Sequence, residues 1–415
     1  MLFRINKLDH FTKNIIIVFL GTSLSSFLNL IYQLLIAHKL SPQDFASFNA
    51  LLAVFMLISN PLGMIRIAVA KYVSEYNARK ETHKISVLIY NLFTKGIIIA
   101  FFVFVLFIFI APFIINSLKI YNLTLGYILA MLIAASLLTP VLVGGVQGLE
   151  LFGWFVSSSL LVGVTKLVFT ALFLSLGYQI AGALGALLLS FVFGLAIGVI
   201  PLRKFLAVQP SEARPNYKDV FLYLFPIAIS NACFVWLTSF DMVLVKYFFS
   251  PEASGVYSLA QMAGKIFLFL PGAISLVILP HTSGLKATNS DTKAALKKSL
   301  LYAFYLCLCA VFFYNIFPGF TLKILTGKVP AESILLGRLF SISMTFFALC
   351  FVLINYFLSL KYYPFIKYFV ISVFLQFMGI LIFHNSLLQV QLVLCINSFL
   401  LFVFLLIEAF SISYD

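Results

Sequence analysis

The stretch SPEASGVY, Ser250 to Tyr257, lies between two apolar runs, and SPQDFASF, Ser41 to Phe48, lies between two others. The offset from Ser41 to Ser250 is 209 residues, about half of a 415-residue chain. Both open on Ser-Pro, which is turn chemistry. Further on, Pro61 and Gly63 roughly match Pro271 and Gly272 with a one-residue slip. Similarity at half length predicts two copies of one unit.

Counting outward from these turns gives the number of membrane spans. A span needs ~20 mostly apolar residues, and twelve candidates result: 14–38, 45–70, 86–116, 121–147, 152–176, 180–202, 220–249, 253–279, 299–324, 331–359, 363–383 and 387–411. The run Ile15 to Ala37 is too long for a signal-peptide core and lacks a small-x-small cleavage site, so it reads as the first span. Six spans precede the second copy, so the halves share one orientation and are parallel repeats about an axis along the membrane normal. The expected fold is an all-α membrane protein of about twelve transmembrane helices in two parallel-repeat six-helix bundles. The bundles would occupy 1–206 and 220–415, joined by a cytoplasmic linker at 207–219. Only 203–219 and 280–298 read as loops longer than about ten residues.

Composition agrees. Hydrophobic residues make up 63% of the chain and charged residues 10%, with mean hydropathy +1.11. That excludes a cytosolic enzyme, a disordered protein and a disulfide-stapled secreted module. The net charge of +14 has a better explanation than nucleic-acid binding. With the N-terminus in the cytoplasm, seventeen Lys and Arg fall on inner segments and five (Lys39, Lys119, Lys246, Lys323, Lys328) on outer loops. This asymmetry predicts a multi-pass protein of the cytoplasmic membrane with both termini inside. The five cysteines (Cys233, Cys307, Cys309, Cys350, Cys395) lie in apolar stretches without redox or zinc spacing and read as small buried hydrophobes.

The first span carries a polar stripe. Thr22, Ser26, Asn29 and Gln33 recur at steps of four, three and four, and Ser25 and Tyr32 widen it. Adding 209 takes Thr22 to Asn231, Asn29 to Thr238 and Tyr32 to Asp241 in span seven. Two explanations stand: hydrogen bonds between helices, or a wet cavity lined by both spans.

Asp241 to Pro280 reads DMVLVKYFFSPEASGVYSLAQMAGKIFLFLPGAISLVILP, with an Asp ending span seven, Gly-x-Tyr opening span eight, a basic residue midway and a closing Pro. This resembles the polysaccharide-biosynthesis family of lipid-linked oligosaccharide flippases, within the multidrug/oligosaccharidyl-lipid/polysaccharide exporter superfamily. GGVQGLELF (Gly144 to Phe152), LGYQIAGALGA (Leu176 to Ala186) and SPQDFASF extend the resemblance over most of residues 15–300; the last four spans match only in number and hydropathy. The resemblance implies a central cavity lined largely by spans 1, 2, 7 and 8, and rocking between inward-open and outward-open states. It also implies a substrate made of a polyprenyl-pyrophosphate carrying a short glycan.

Charges inside spans cost at least ~2.5–3.5 kcal/mol on insertion scales, so each needs a job or a partner. Lys265 is twelve residues into span eight, ~18 Å deep and near the midplane. With Tyr257 and Gln261 it shares a polar face, suited either to a pyrophosphate or to an ion pair with Asp241. Lys166, ~21 Å into span five, is similarly deep. Arg66 and Lys71 near the inner end of span two would meet phosphate at the entrance or anchor the helix. Lys95 and Arg338 lie close enough to a span end to snorkel. Asp241 would bind a coupling proton or Na⁺, or neutralise Lys265 between substrates. Trp236 and Tyr32 offer faces for sugar stacking, but for lone aromatics among 48 Phe and 19 Tyr packing is the preferred reading.

The candidate binding residues are therefore Lys265, Arg66, Lys71, Lys166, Gln261, Tyr257, Asn29, Gln33, Asn231 and Thr238, with Asp241 for coupling or charge pairing. No GxxxxGK[ST] or HExxH occurs, and no cofactor or metal is expected. Gly194 and Gly198 form a small-xxx-small pair expected to mark close helix packing. The expected partners are membrane lipid, a lipid-linked glycan and H⁺ or Na⁺; the expected role is inner-to-outer flipping, not catalysis. A cation-coupled drug or metabolite antiporter is the alternative, disfavoured by the basic residues. A membrane-embedded glycan polymerase is disfavoured by the short outer loops.

Overall fold

The computed structural model describes residues 10–207, 218–271 and 292–411, together with Thr282. The regular elements among them are helical: α1 His10–Lys39, α2 Pro42–Ser59, α3 Gly63–Ala78, α4 Thr82–Ser117, α5 Leu123–Gly148, α6 Phe152–Ser175 and α7 Gln179–Leu206. They continue as α8 Lys218–Phe248, α9 Pro251–Phe269, α10 Lys293–Ile316, α11 Pro318–Thr326, α12 Ala331–Ser359, α13 Ile366–Ile382 and α14 Leu387–Ser411. Ten segments among the described residues, counting α2 with α3 as one, are long and apolar enough to cross a membrane. In hydrocarbon each backbone N–H and C=O must be satisfied within its own segment, and a helix does this. The outward faces are correspondingly apolar: on α4, Phe109 and Phe113 are 77% and 75% exposed, as suits lipid and not water. This is a multi-pass membrane protein.

The two Ser-Pro turns have the same local geometry. Ser250 caps α9, its Oγ accepting from the Ala253 N–H at 3.3 Å, with Pro251 as first helical residue. Ser41 Oγ accepts from the Asp44 N–H at 3.1 Å and donates to the Asp44 carboxylate at 2.7 Å, ahead of Pro42. Both helices stop short of a proline. α2 ends at Ser59 before Pro61, and α9 ends at Phe269 before Pro271.

Several expected boundaries change. Span 45–70 is two helices, parted by a 3-10 turn at Asn60–Leu62, and it runs on to Ala78. Pro61 has no N–H to donate and its ring crowds the preceding turn, which favours a break there, whereas Pro112, Pro140, Pro201 and Pro226 lie inside unbroken helices. Span 299–324 is likewise two helices. Phe317 leaves the helical region (φ −121°, ψ 52°) because the residue before a proline is pushed out of it. α10 begins at Lys293, inside the expected loop 280–298. Within the expected linker and span eight, residues 208–217 and 272–279 lie outside the described residues, as do Arg4, Lys7, Arg214 and Lys286. Cys309 is exposed rather than buried.

The chain forms two compact units: Met1–Lys39 with Ile58–Ala228, and Leu40–Leu57 with Ile229–Asp415. In the first, α5 packs against α3, α4 and α7, and α6 against α1 and α7. Glycines permit the closest approach. A Cβ on Gly144 would stand 2.6 Å from the Arg66 carbonyl oxygen, and one on Gly148 2.6 Å from that of Ala70. Between these helices and α4 lies a core of Val69, Val73, Ile85, Leu88, Ile89, Leu142, Val146 and Leu202. Gly194 and Gly198 are also tight, with Cβ positions 3.1 Å from Val162 and 3.2 Å from Leu142. Gly144→Leu is therefore expected to destabilise the fold by about 1–3 kcal/mol. Thermal melting in detergent checks this, with Gly153→Ala, whose added Cβ meets nothing within 4 Å, as the neutral control.

In the second unit, α12 is the buried centre, packed by α9, α10 and α14, with Phe340, Phe347 and Phe357 fully enclosed. Ser333 of α12 donates to the Val256 carbonyl at 2.8 Å, and Tyr257 meets Phe340 edge-on at 5.0 Å. These contacts fix the rotation of α9, and hence the direction of its polar face.

Candidate functional site

In the first unit, α6 carries Lys166 into the helix interior, where it is 8% exposed. Its Nζ donates to Asn29 Oδ1 on α1 and stands 4.3 Å from the Tyr32 ring centroid. Asn29 and Tyr32 are neutral, so the interaction holds the ammonium without cancelling its charge. Tyr32 is itself buried, with its hydroxyl donating to the Ala183 carbonyl at 3.2 Å. Its ring serves Lys166, in keeping with the packing reading rather than with a face open to sugars.

The rest of the α1 stripe divides. The hydroxyls of Thr22 and Ser26 donate to carbonyls of their own helix, at 2.8 Å to Val18 and 2.9 Å to Thr22. Ser25 meets Ser159 of α6 at 3.0 Å. Gln33 is half-buried and Asn29 exposed. Hydrogen bonding along and between helices thus accounts for Thr22, Ser25 and Ser26. Arg66 and Lys71 are exposed on α3, the helix held against α5 at Gly144 and Gly148.

In the second unit, Asp241 of α8 is fully buried. Its Oδ2 accepts from the Tyr257 hydroxyl at 2.7 Å and from Gln261 Nε2 at 2.8 Å, both on α9. Oδ1 is equally buried and has no hydrogen-bond partner among the described residues. One turn past Gln261, Lys265 is half-buried and within electrostatic reach of Asp241. The three residues predicted to share a polar face all reach Asp241, but Lys265 acts on it through its field while Tyr257 and Gln261 make the direct bonds. Thr238 is buried, its hydroxyl returning to the Phe234 carbonyl at 2.8 Å, and Asn231 is half-buried. Trp236 stacks on Phe240 at 4.0 Å, as the packing reading expects.

A neighbouring network escaped the sequence reading. Gln376 of α13 donates to the Leu237 carbonyl at 3.0 Å, one turn before Asp241. Asn397 Nδ2 of α14 donates to Gln376 Oε1 at 3.1 Å, and the Ser372 hydroxyl to Asn397 Oδ1 at 2.9 Å. The available signal was two amides inside strongly apolar spans, which an averaged hydropathy hides.

Comparison with known proteins places this geometry. The family model described as polysaccharide biosynthesis protein matches residues 11–286. Among solved structures, an inward-facing multidrug resistance MATE family transporter of the MOP superfamily superposes with TM-score 0.77 at 14% identity, covering 92% of this chain and 94% of that one. The lipid II flippase MurJ, in an inward closed conformation, gives 0.74 at 16% identity over 95% of this chain and 88% of that one. An outward-facing MATE family transporter gives 0.60 at 15% identity over 95% and 92%. At these identities the likeness speaks for the fold. No curated protein matches. Because the family model spans well over half of the chain, the chain belongs to the polysaccharide biosynthesis protein family, and its fold is that of the solved MATE and MurJ structures.

Proposed function

We propose that this protein is a transporter that moves a polyprenyl-pyrophosphate-linked oligosaccharide from the inner to the outer leaflet by alternating access, for cell-surface polysaccharide biosynthesis. The observation that carries this is Lys166: a buried ammonium held, among the described residues, by neutral groups, in a chain with few intramembrane acids to balance it. A site that keeps a positive charge in low dielectric without a carboxylate favours an anionic substrate. Lys265 would supply the main phosphate contact, with Arg66 and Lys71 meeting the pyrophosphate at the inner entrance and Asn29, Gln33, Asn231, Thr238, Tyr257 and Gln261 bordering the path. The proposed arrangement is two parallel six-helix bundles in the cytoplasmic membrane with both termini inside.

Asp241 is the proposed coupling residue, its bare Oδ1 the place for a proton or Na⁺. That oxygen, together with the fold shared with multidrug transporters, favours one second reading, a cation-coupled drug or metabolite antiporter. Deleting the protein in its host separates the two. Accumulation of lipid-linked glycan with loss of surface polysaccharide is the expected result. Unchanged polysaccharide with loss of organic-cation efflux would support the antiporter.

A further inference from the structure

One end of the second unit gathers four helix ends. α10 begins there at Lys293, α12 finishes at Ser359, α13 begins at Ile366 and α14 finishes at Ser411. Two bonds hold α10 in place. The Thr292 hydroxyl meets that of Tyr356, in the last turn of α12, at 3.0 Å, and Lys293 Nζ donates to the Phe410 carbonyl of α14 at 2.9 Å. A cation there serves both the unmet carbonyls and the dipole of a helix C-terminus. The start of α13 and the loop before it are fastened to the same turn of α14. Glu408 accepts from the Tyr362 hydroxyl on Oε1 and from the Tyr368 hydroxyl, at 2.9 Å, on Oε2.

Five lysines arrive with these elements: Lys293, Lys297 and Lys298 of α10, Lys361 of the loop and Lys367 of α13. All but Lys293 are exposed. Among the described residues Glu408 is the carboxylate at this end. Tyrosines occupy both of its oxygens, and it reaches Lys367 through its field alone. No described carboxylate lies within ion-pair distance of Lys297, Lys298, Lys361 or Lys367. The faces beyond these lysines indicate what balances them. Lys297 stands in line with Leu301 and Phe304, Lys298 with Tyr302 and Tyr305, and Lys367 with Ile371 and Phe374, at helical steps of three and four. All six of those side chains are exposed. On membrane helices such faces meet acyl chains, which sets the ammonium at the head of each stripe at headgroup height, beside tyrosines suited to an interface. A phosphate attached to acyl chains fits both the charge and the stripe. A soluble anion or an acidic protein fits the charge only.

We propose that this end of the second unit is a docking surface for anionic phospholipids, with their phosphates on Lys297, Lys298, Lys361 and Lys367 and their acyl chains along the exposed faces of α10 and α13. It is independent of the substrate proposed above. The test uses the full chain with Trp154→Phe and Trp236→Phe, carrying Tyr302→Trp or Phe374→Trp as a reporter, in phosphatidylcholine vesicles. Brominated phosphatidylglycerol is expected to quench each reporter at a mole fraction about fivefold lower than brominated phosphatidylcholine does, the effect of one lysine near an anionic headgroup. Phe109→Trp, exposed on α4 of the first unit, is the control and should show no preference. Lys297→Gln with Lys298→Gln should abolish the preference at Tyr302→Trp, and Lys361→Gln with Lys367→Gln that at Phe374→Trp. High salt gives an independent reading on the chain with all its lysines, and should shrink the preference because these charges are exposed. Equal quenching by the two lipids at both reporters would overturn the docking surface. So would a preference that survives the glutamine pairs or high salt, or one that is as large at Phe109→Trp. Displacement of the brominated lipid by water-soluble glycerol phosphate would mean a soluble-anion site and overturn it too. No transport is measured, so its failure and failure of the glycan assignment are separate events.

Discussion

Lys265→Ala is expected to abolish glycan export in cells while the protein still inserts and accumulates, whereas Lys265→Arg retains much of it. A pyrophosphate carries at least two negative charges and must leave water while its prenyl tail stays in lipid. A preplaced cation offsets that desolvation, and the attraction is stronger in the low dielectric of a membrane protein than in bulk water. Arginine preserves the charge and adds a fork suited to phosphate; alanine offers neither. Lys265 is suited to this because Asp241 does not bond it directly: Oδ2 is taken by Tyr257 and Gln261. Normal export by a normally expressed Lys265→Ala would refute the phosphate role. Loss in both variants would shift Lys265 to a structural pairing with Asp241.

The second large effect concerns Asp241. Replacing it with alanine strands the Tyr257 hydroxyl and the Gln261 amide in a fully buried place, each at a cost of about 1–3 kcal/mol. A large fall in melting temperature or expression is expected. Asp241→Asn keeps an acceptor for those two donors but cannot take up a proton or hold a cation on Oδ1. It should fold with near-normal stability and lose the dependence of transport on a proton or Na⁺ gradient. Transport by Asp241→Asn that still follows the imposed gradient would remove Asp241 from coupling.

The parts of the fold legible in the sequence are those written in local chemistry. Ser41-Pro42 and Ser250-Pro251 are visible as turns because a capping hydroxyl and a first-turn proline act within four residues. The face of Tyr257, Gln261 and Lys265 was legible because helical spacing alone aligns it, and Asp241 lies opposite. Hydropathy, however, cannot see a break inside an apolar run. Pro61 lies within one apolar run, yet a 3-10 turn interrupts the α-helix there. Pro318 divides another span by pushing Phe317 out of the helical region.

Long-range partners were the least legible. Nothing near Lys166 in the chain announces that Asn29 and Tyr32, more than a hundred residues earlier, will hold it. Gln376 and Asn397 are diluted by their neighbours in any averaged window, yet they reach the backbone one turn from Asp241. In the sequence Gly144 stands out only within a family-like stretch; its physical reason is the backbone of α3 lying against it.

The most direct test of the glycan assignment is leaflet-to-leaflet movement in proteoliposomes holding the purified protein and a fluorescent polyprenyl-pyrophosphate oligosaccharide, followed by a quencher confined to one side. Wild-type protein is predicted to expose the buried pool of label well above the rate in protein-free vesicles, and Lys265→Ala to fall to that background. Movement no faster than background with wild-type protein, while the same vesicles exchange an organic cation for H⁺ or Na⁺, would contradict it.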